Sequence, residues 1–220
     1  MATTETTFLP SLQDLTETLN RGFGQIPPPR LYVLNQIADE IAKLLKEDGK
    51  AVANFICTHN SRRSQLSQTL AHLATAHYGI EGLELVSSGT EATACNERTI
   101  AALKRAGFEV SIEEEGSNPK YRLNFAEQAQ PIRLWSKVIA DASPDGLPFV
   151  AVMTCNHADS NCPVVSGSAA RISLPFHDPK ESDDTPKEEQ TYDQRLIEIG
   201  REMFLLIRSV HDRLKTKDEG

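Results

Sequence analysis

The stretch CTHNSRRS at residues 57–64 decides the fold, and it directly follows the apolar run AVANFI at residues 51–56. The apolar run has the length and composition of a buried strand, and helical periodicity begins after the stretch. A loop between a strand and a helix points successive backbone N–H groups into one concavity, where the helix N-terminus adds partial positive charge. The sequence therefore predicts an oxyanion-binding loop.

Two side chains give this loop its chemistry. Cys57 stands at the end of the strand, and Arg63 opens the helix six residues later. The arginine offers a planar fork to two oxygens of an anion, and the positive field favours the cysteine thiolate. Ser64 can donate a hydrogen bond to that thiolate. A Cys-x5-Arg spacing alone would also fit a buried cysteine near a surface arginine, but its place after a strand favours a nucleophile.

Composition limits the class of protein. The chain has 220 residues, 39% of them hydrophobic, and a net charge of -8. Such a charge argues against a nucleic-acid partner, so anionic ligands must be captured locally. The N-terminus lacks the pattern of a signal peptide and no apolar run is long enough for a membrane span, so we expect a cytoplasmic protein without membrane contact. The four cysteines are too few for a disulfide framework.

The order of predicted elements indicates an α/β fold. A helix follows the loop, and LELVS at residues 83–87 is a second strand, so the connection is a right-handed crossover in a parallel sheet. FVAVMT at residues 149–154 is a third strand, and RISLPF at residues 171–176 is a further short segment. The loops after these strands are expected at the sheet edge where such folds place their sites.

The remaining segments are predicted as follows. Residues 1 to about 30 form a tethered arm with one short helix in SLQDLTETLN, and an amphipathic helix runs from Leu31 to Gly49. Residues 109–120 are a charged turn region, and residues 132–142 are helical up to a turn at residues 144–146. Residues 181–190 are a solvated acidic linker, and a long helix closes the chain.

Two segments resemble a known family. FICTHNSRRSQLSQTLA at residues 55–71 and SSGTEATACNERTIAALKRAGFEV at residues 87–110 are similar to the low-molecular-weight protein tyrosine phosphatase superfamily, which includes thioredoxin-coupled arsenate reductases. The resemblance implies a three-layer fold with a central, mainly parallel four-stranded sheet. It places the catalytic domain at residues 51–220 and leaves residues 1–50 as an added N-terminal arm, with an unusually long stretch near residues 112–148.

The resemblance also implies roles for the residues of the loop. Cys57 is the nucleophile, Arg63 clamps the oxyanion, Asn60 stabilises the loop and Ser64 stabilises the thiolate. The residues expected to surround an oxyanion such as arsenate or phosphate are Thr58, His59, Asn60, Ser61, Arg62, Arg63 and Ser64.

Asp178 is the candidate general acid. The resemblance implies this role, and a carboxylic acid on a loop facing the nucleophile would protonate the leaving oxygen. Pro179 would stiffen that loop. An N-cap or turn aspartate is the alternative explanation of the Asp-Pro pair.

Cys155 and Cys162 point to one branch of the superfamily. MTCNHADSNCPV at residues 153–164 resembles the redox segment of thioredoxin-coupled arsenate reductases. On that resemblance Cys155 attacks Cys57 to release arsenite, Cys162 then attacks Cys155, and thioredoxin is the external reductant, with no bound cofactor. In a rigid helix, positions seven apart lie about 10 Å from each other, so this pairing requires local unwinding. Unrelated thiols, or a zinc site that adds His157, are the alternatives.

Two residues depart from the usual pattern of the family. His59 stands where the family usually has glycine, and its Cβ would narrow the loop or demand a different backbone angle. Arg62 stands where a second cysteine or a small residue is frequent, and it would make the site more cationic.

Three functions are therefore compared. The first is an arsenate reductase that uses Cys57, Cys155 and Cys162 in sequence. The second is a phosphatase acting on phosphotyrosine or a small phosphate ester, for which Cys57, Arg63 and Asp178 suffice. The third is a non-catalytic redox sensor that binds oxyanions through the same loop.

Overall fold

A computed structural model describes residues 6–142, 147–162 and 164–216. In chain order the helices and strands are α1 (Pro10–Arg21), α2 (Pro28–Asp48), β1 (Ala51–Cys57), α3 (Arg63–Tyr78), β2 (Leu83–Gly89), α4 (Glu97–Arg105), β3 (Glu109–Glu114), β4 (Lys120–Asn124), β5 (Ile132–Leu134), α5 (Ile139–Ala142), β6 (Phe149–Met153), α6 (Asn156–Asn161), β7 (Ser168–Ser173) and α7 (Glu188–Lys215). Short 3₁₀ helices span Phe23–Gln25 and Pro179–Ser182.

The central sheet has four strands in the order β2-β1-β6-β7, and every neighbouring pair is parallel. Side chains of β1 alternate between two cores, as strand geometry requires. Ala53 and Phe55 belong to the larger core, whereas Val52 and Ile56 belong to the smaller core on the opposite face. The larger core is covered by α1, α2, α3 and α7, and the smaller core by α6. The predicted three-layer α/β fold is confirmed.

The N-terminal helices are part of the main core. Leu12 and Leu19 in α1 and Leu34 and Ile37 in α2 are fully buried or nearly so, and all four lie in the larger cluster. The expected helix in SLQDLTETLN and the amphipathic helix before β1 are both present. A tethered arm is the wrong description of residues 10–21, because the leucines of α1 recur at helical spacing and pack against α7.

Residues 109–134 form a second sheet that the sequence analysis missed. Strands β3, β4 and β5 pair in antiparallel order. The expectation of a charged turn at residues 109–120 is wrong over β3, and that of one helix over residues 132–142 is wrong over β5. Exposed charged residues hide the strand pattern of β3, whose side chains are mostly exposed, while Leu123 and Ile132 anchor the sheet in the larger core.

Residues 181–190 are mostly exposed, as expected of a solvated acidic segment, but they are not a free linker, because ion pairs hold them and the last three belong to α7. Asp183 pairs with Arg62, and Arg98 pairs with both Asp184 and Glu188. The acidic residues of this segment therefore hold it against the loop and α4. The expected turn at residues 144–146 lies outside the described residues. Among the helices described, none combines the length and apolar character needed to cross a membrane.

Candidate active site

The nucleophile lies at the end of the central strand. Cys57 is buried, and its Sγ lies 3.0 Å from Ser64 Oγ. Asn60 Nδ2 donates to the same Ser64 oxygen at 2.9 Å. Because Ser64 accepts from Asn60, its own hydroxyl hydrogen is free to point at the sulfur. The geometry therefore suits a Cys57 thiolate.

The turn of the loop is made at Asn60. This residue has a φ of 45°, in the left-handed region that asparagine tolerates better than most residues. Its Oδ1 accepts from the backbone N–H of Lys137 at 3.0 Å, and its carbonyl accepts from Gln65 Nε2. The left-handed backbone angle of the loop is therefore at Asn60, and not at His59, whose side chain was expected to demand a different angle.

Arg63 and Asp178 form an ion pair at the point where the loop enters α3. Arg63 Nη2 lies 2.5 Å from Asp178 Oδ2, and Arg63 Nη1 donates to the carbonyl of Phe176 at 3.0 Å. Asp178 Oδ1 also accepts from the backbone N–H of Lys180 and caps the 3₁₀ helix at Pro179–Ser182. Asp178 therefore has the capping position of the alternative explanation and also faces the predicted oxyanion clamp.

Three loop side chains have partners away from the nucleophile. Ser61 Oγ donates to the carbonyl of Ala94 at 2.7 Å. Arg62 donates to Tyr192 Oη at 2.7 Å and to Asp183 Oδ2 at 2.9 Å, and His59 is exposed with its Nε2 3.6 Å from Glu91.

These three residues were predicted to surround the oxyanion, and their side chains are engaged elsewhere. Arg62 therefore ties the loop to the segment that carries Asp178. Tyr192 and Asp183 hold Arg62. Sequence patterns did not single them out, because Tyr192 lies within the closing helix and Asp183 within the segment expected to be a linker. The signal available in the sequence was the opposite charge of the pair Arg62-Arg63 and of the acidic segment at residues 181–190.

Thr58 brings the second cysteine to the loop. Its Oγ1 lies 3.5 Å from Cys155 Sγ and 3.2 Å from His157 Nδ1. Cys155 is completely buried and caps α6, where its sulfur accepts from the backbone N–H of Ala158 at 3.3 Å. The two predicted thiols of the first exchange step, Cys57 at the end of β1 and Cys155 just after the neighbouring strand β6, thus lie at one edge of the sheet.

Cys162 stands at the opposite end of α6 from Cys155. The helix occupies the six residues between them, and both thiols are free. Cys162 is partly exposed. In the described parts of the chain, no cluster of three or more His, Cys, Asp or Glu side chains could hold a metal ion.

A buried lysine lies under the same loop. Lys137 is only 5% exposed, and its Nζ lies 4.1 Å from the centroid of the Trp135 ring. Burial lowers the pKa of Lys137 to about 8, and burial raises the pKa of the neighbouring Cys95 to about 12. Cys95 is therefore a neutral thiol. No sequence pattern singled out Lys137, because this residue lies in the long stretch without a counterpart in the family.

Known proteins with similar sequences include members of the family that the loop resembles. Residues 52–122 match the model of the family described as low molecular weight phosphotyrosine protein phosphatase. An arsenate reductase of Halalkalibacterium halodurans is 25% identical over 153 residues, covering 69% of this chain and 91% of that protein. An arsenate reductase of Bacillus licheniformis is 28% identical over 154 residues, with the same two coverages, 69% and 91%.

Among solved structures, an arsenate reductase from Archaeoglobus fulgidus has 19% identity and a TM-score of 0.46, covering 71% of this chain and 98% of its own. Another, described as an arsenate reductase in the phosphate binding state, has 16% identity and a TM-score of 0.47, covering 73% and 98%. The family match at residues 52–122 includes the loop and the helix from which the resemblance was drawn. The recognition of this chain as a relative of the low-molecular-weight protein tyrosine phosphatase superfamily, with arsenate reductases among its relatives, is confirmed.

Proposed function

We propose that this protein is an arsenate reductase in which Cys57, Cys155 and Cys162 act in sequence. The observation that supports this most is the position of Cys155, whose sulfur reaches the hydroxyl of Thr58, the residue next to the nucleophile. A phosphatase does not need a second thiol at this place. The sequence relatives named arsenate reductases support the same function.

The first step uses the loop. The Cys57 thiolate attacks arsenic, and an arsenate oxygen leaves as water after it receives a proton from Asp178. Arg63 Nε is buried and has no hydrogen-bond partner among the described residues. A buried donor without an acceptor is costly, and an oxyanion in the loop would supply one.

Binding of the anion would also free the acid. In the structure both terminal nitrogens of Arg63 are engaged, one of them by Asp178. An oxyanion that takes over Arg63 removes the cationic partner of Asp178. The carboxyl group is then released to act on the leaving oxygen.

The relay then transfers two electrons to arsenic. The Cys155 thiolate attacks Cys57 Sγ, the S–As bond breaks, and its electron pair reduces As(V) to As(III), which leaves as arsenite. Cys162 next attacks Cys155 and restores the Cys57 thiolate. An external dithiol protein such as thioredoxin reduces the Cys155–Cys162 disulfide.

The test is a thioredoxin-coupled arsenate assay run beside a phosphatase assay on the same preparation. Cys155→Ser should abolish arsenate turnover and leave hydrolysis of p-nitrophenyl phosphate within about twofold, because the two reactions share only the first step. Cys95→Ser is a matched control, since Cys95 is a buried thiol with no role in the relay. Arsenate turnover that survives in Cys155→Ser would exclude the relay.

A phosphatase is the second candidate, and one observation favours it. A cavity of about 580 Å³ borders Asp178 and is lined by His177, Lys187 and Arg195, among others. Arsenate is too small to need such a space, whereas the organic part of a phosphate ester could occupy it. Turnover of phosphate esters without any arsenate reduction would support this function.

A further inference from the structure

Three side chains form a continuous hydrogen-bonded chain from the second thiol to the surface. Cys155 Sγ lies 3.5 Å from Thr58 Oγ1, which lies 3.2 Å from His157 Nδ1. Cys155 is completely buried, Thr58 is nearly so, and His157 is exposed. These hydrogen bonds thus join the thiol of Cys155, which cannot reach solvent, to the imidazole of His157, which can.

The other contacts of Cys155 set the direction of these hydrogen bonds. Cys155 Sγ accepts from the backbone N–H of Ala158, so its own proton is free to be donated to Thr58 Oγ1. The single hydroxyl hydrogen of Thr58 is then available to His157. An imidazole that carries its proton on Nε2 accepts it at Nδ1. Each of the two hydrogen bonds then has one donor and one acceptor.

We infer that His157 is the terminal proton acceptor that generates the Cys155 thiolate, with the Thr58 hydroxyl as the intermediate carrier. This inference rests on the proposed function, in which Cys155 must become a nucleophile. A buried thiol without contact to solvent needs an acceptor for its proton inside the protein before it can act as a nucleophile. Neutral histidine is the side chain best suited to that task near neutral pH.

The transfer balances without any further reactant. The S–H bond of Cys155 breaks as its proton passes to Thr58 Oγ1, and the Thr58 hydroxyl proton passes to His157 Nδ1. The thiolate then accepts hydrogen bonds from Thr58 and from Ala158 N–H while it attacks Cys57 Sγ. The imidazolium of His157 returns its proton to solvent.

The inference is tested in the Cys162→Ser variant, where the Cys57–Cys155 disulfide accumulates. Its formation is followed by rapid quenching and mass spectrometry after two separate triggers. Arsenate tests the proposed function, and hydrogen peroxide, which converts Cys57 to a sulfenic acid that Cys155 can attack, tests Cys155 alone. We expect His157→Ala to slow both reactions by roughly a hundredfold.

Further variants separate proton transfer from positioning. Added imidazole should restore much of the rate in His157→Ala and should not affect Thr58→Val, where the carrier is missing. Thr58→Ser should retain the rate, because it keeps the hydroxyl. His211→Gln, in α7, is the control for a histidine far from Cys155.

The outcomes distinguish the two proposals. Unchanged peroxide-triggered rates in His157→Ala, or a loss that imidazole does not restore, would overturn the inference. A disulfide that forms with peroxide in a His157-dependent way, but not with arsenate, would refute the reductase and leave the proton path intact. Failure to form the disulfide with either trigger would refute both.

Discussion

Lys137, in the long stretch near residues 112–148, contacts the loop and is itself a buried charge. Its backbone N–H holds Asn60, while its ammonium group lies against Trp135. The folded protein lowers the pKa of this lysine to about 8 because the charged form is poorly solvated. Between about pH 8 and the ordinary lysine pKa near 10.4, the unfolded chain binds more protons than the folded one, so stability rises with pH there.

We therefore predict that Lys137→Met stabilises the protein. The free energy of unfolding at pH 7 should increase by on the order of 2 kcal/mol, because a poorly solvated charge is removed. Urea unfolding at pH 7 and pH 10 measures this, and the rise in stability between these pH values should shrink in the variant. Lys120→Met is the control, since its Nζ lies 5.9 Å from the same ring but the side chain is 39% exposed. A less stable Lys137→Met would contradict the prediction.

The central residues of the candidate site could be predicted from sequence, and the partners of Arg62 could not. Cys57 and Arg63 are adjacent to a strand and a helix that hydrophobic periodicity identifies. Asp183 and Tyr192 contact Arg62 only because the chain returns to the loop after more than a hundred residues. Such long-range pairing leaves no mark on local composition.

At the level of elements, adjacent arginines hold the segment that carries Asp178. This segment runs from Phe176 to Asp183. Arg63 binds Phe176 and Asp178 near the beginning of the segment, and Arg62 binds Asp183 at its end. When an anion competes for Arg63, the contact of Arg62 would keep the segment in place. Arg62 is therefore expected to position the acid rather than to bind the anion.

This leads to a prediction about leaving groups. Arg62→Met should lower kcat for phenyl phosphate by about tenfold, because that leaving group needs a proton from Asp178. Hydrolysis of p-nitrophenyl phosphate should change by less than about twofold, since its leaving group departs without protonation. Steady-state rates with both esters measure the difference.

Arg105→Met is the matched control, because Arg105 pairs with Asp193 on the surface between α4 and α7. An equal loss of kcat with the two esters would show that Arg62 acts on the loop itself.

The elements also show which sequence patterns are informative. The buried strand β1 and the amphipathic helix α2 were predicted, because β1 is apolar along a run that is fully buried and α2 buries one face. The small antiparallel sheet was not, because β3 is exposed on both faces and β5 has only three residues. Short strands are stabilised by pairing with neighbours, and sequence periodicity contains little information about it.

At the scale of the whole molecule, Arg30 connects the N-terminal helix α2 to α7 and to the segment that leads to Asp178. Arg30 in α2 forms a two-pronged ion pair with Glu202 in α7, with Nη2 and Oε2 2.6 Å apart. Arg30 Nη1 also donates to the carbonyl of Pro175, and the guanidinium lies 4.7 Å from the Phe176 ring centroid. Residues outside the family resemblance thus support the segment leading to Asp178.

Breaking this pair should destabilise the fold. Arg30→Met is expected to cost about 3 kcal/mol at pH 7, because it leaves Glu202, which is 2% exposed, as an unpaired buried charge. Burial raises the pKa of Glu202 above its usual range. A raised folded-state value means that stability is lost as pH rises through it, so the cost should be smaller near pH 5 than at pH 7. Urea unfolding at the two pH values measures it.

The double variant Arg30→Met/Glu202→Gln serves as the control, since it removes the unpaired charge. It should recover much of the lost stability and show little difference between pH 5 and pH 7. A double variant as unstable as Arg30→Met would assign the loss to the packing of Arg30 on Phe176.

Helix α6 has a consequence for how a reducing partner could tell one state of the enzyme from another. Its backbone bonds, from Asp159 N to Cys155 O and from Cys162 N to Ala158 O, hold the two thiols at opposite ends. A Cys155–Cys162 bond would be incompatible with those bonds, so oxidation would melt the helix and turn its residues into a loop closed by the disulfide. Reduced and oxidised molecules would then differ in shape as well as in chemistry. A reducing partner that binds only the melted form would not bind molecules that lack the Cys155–Cys162 disulfide.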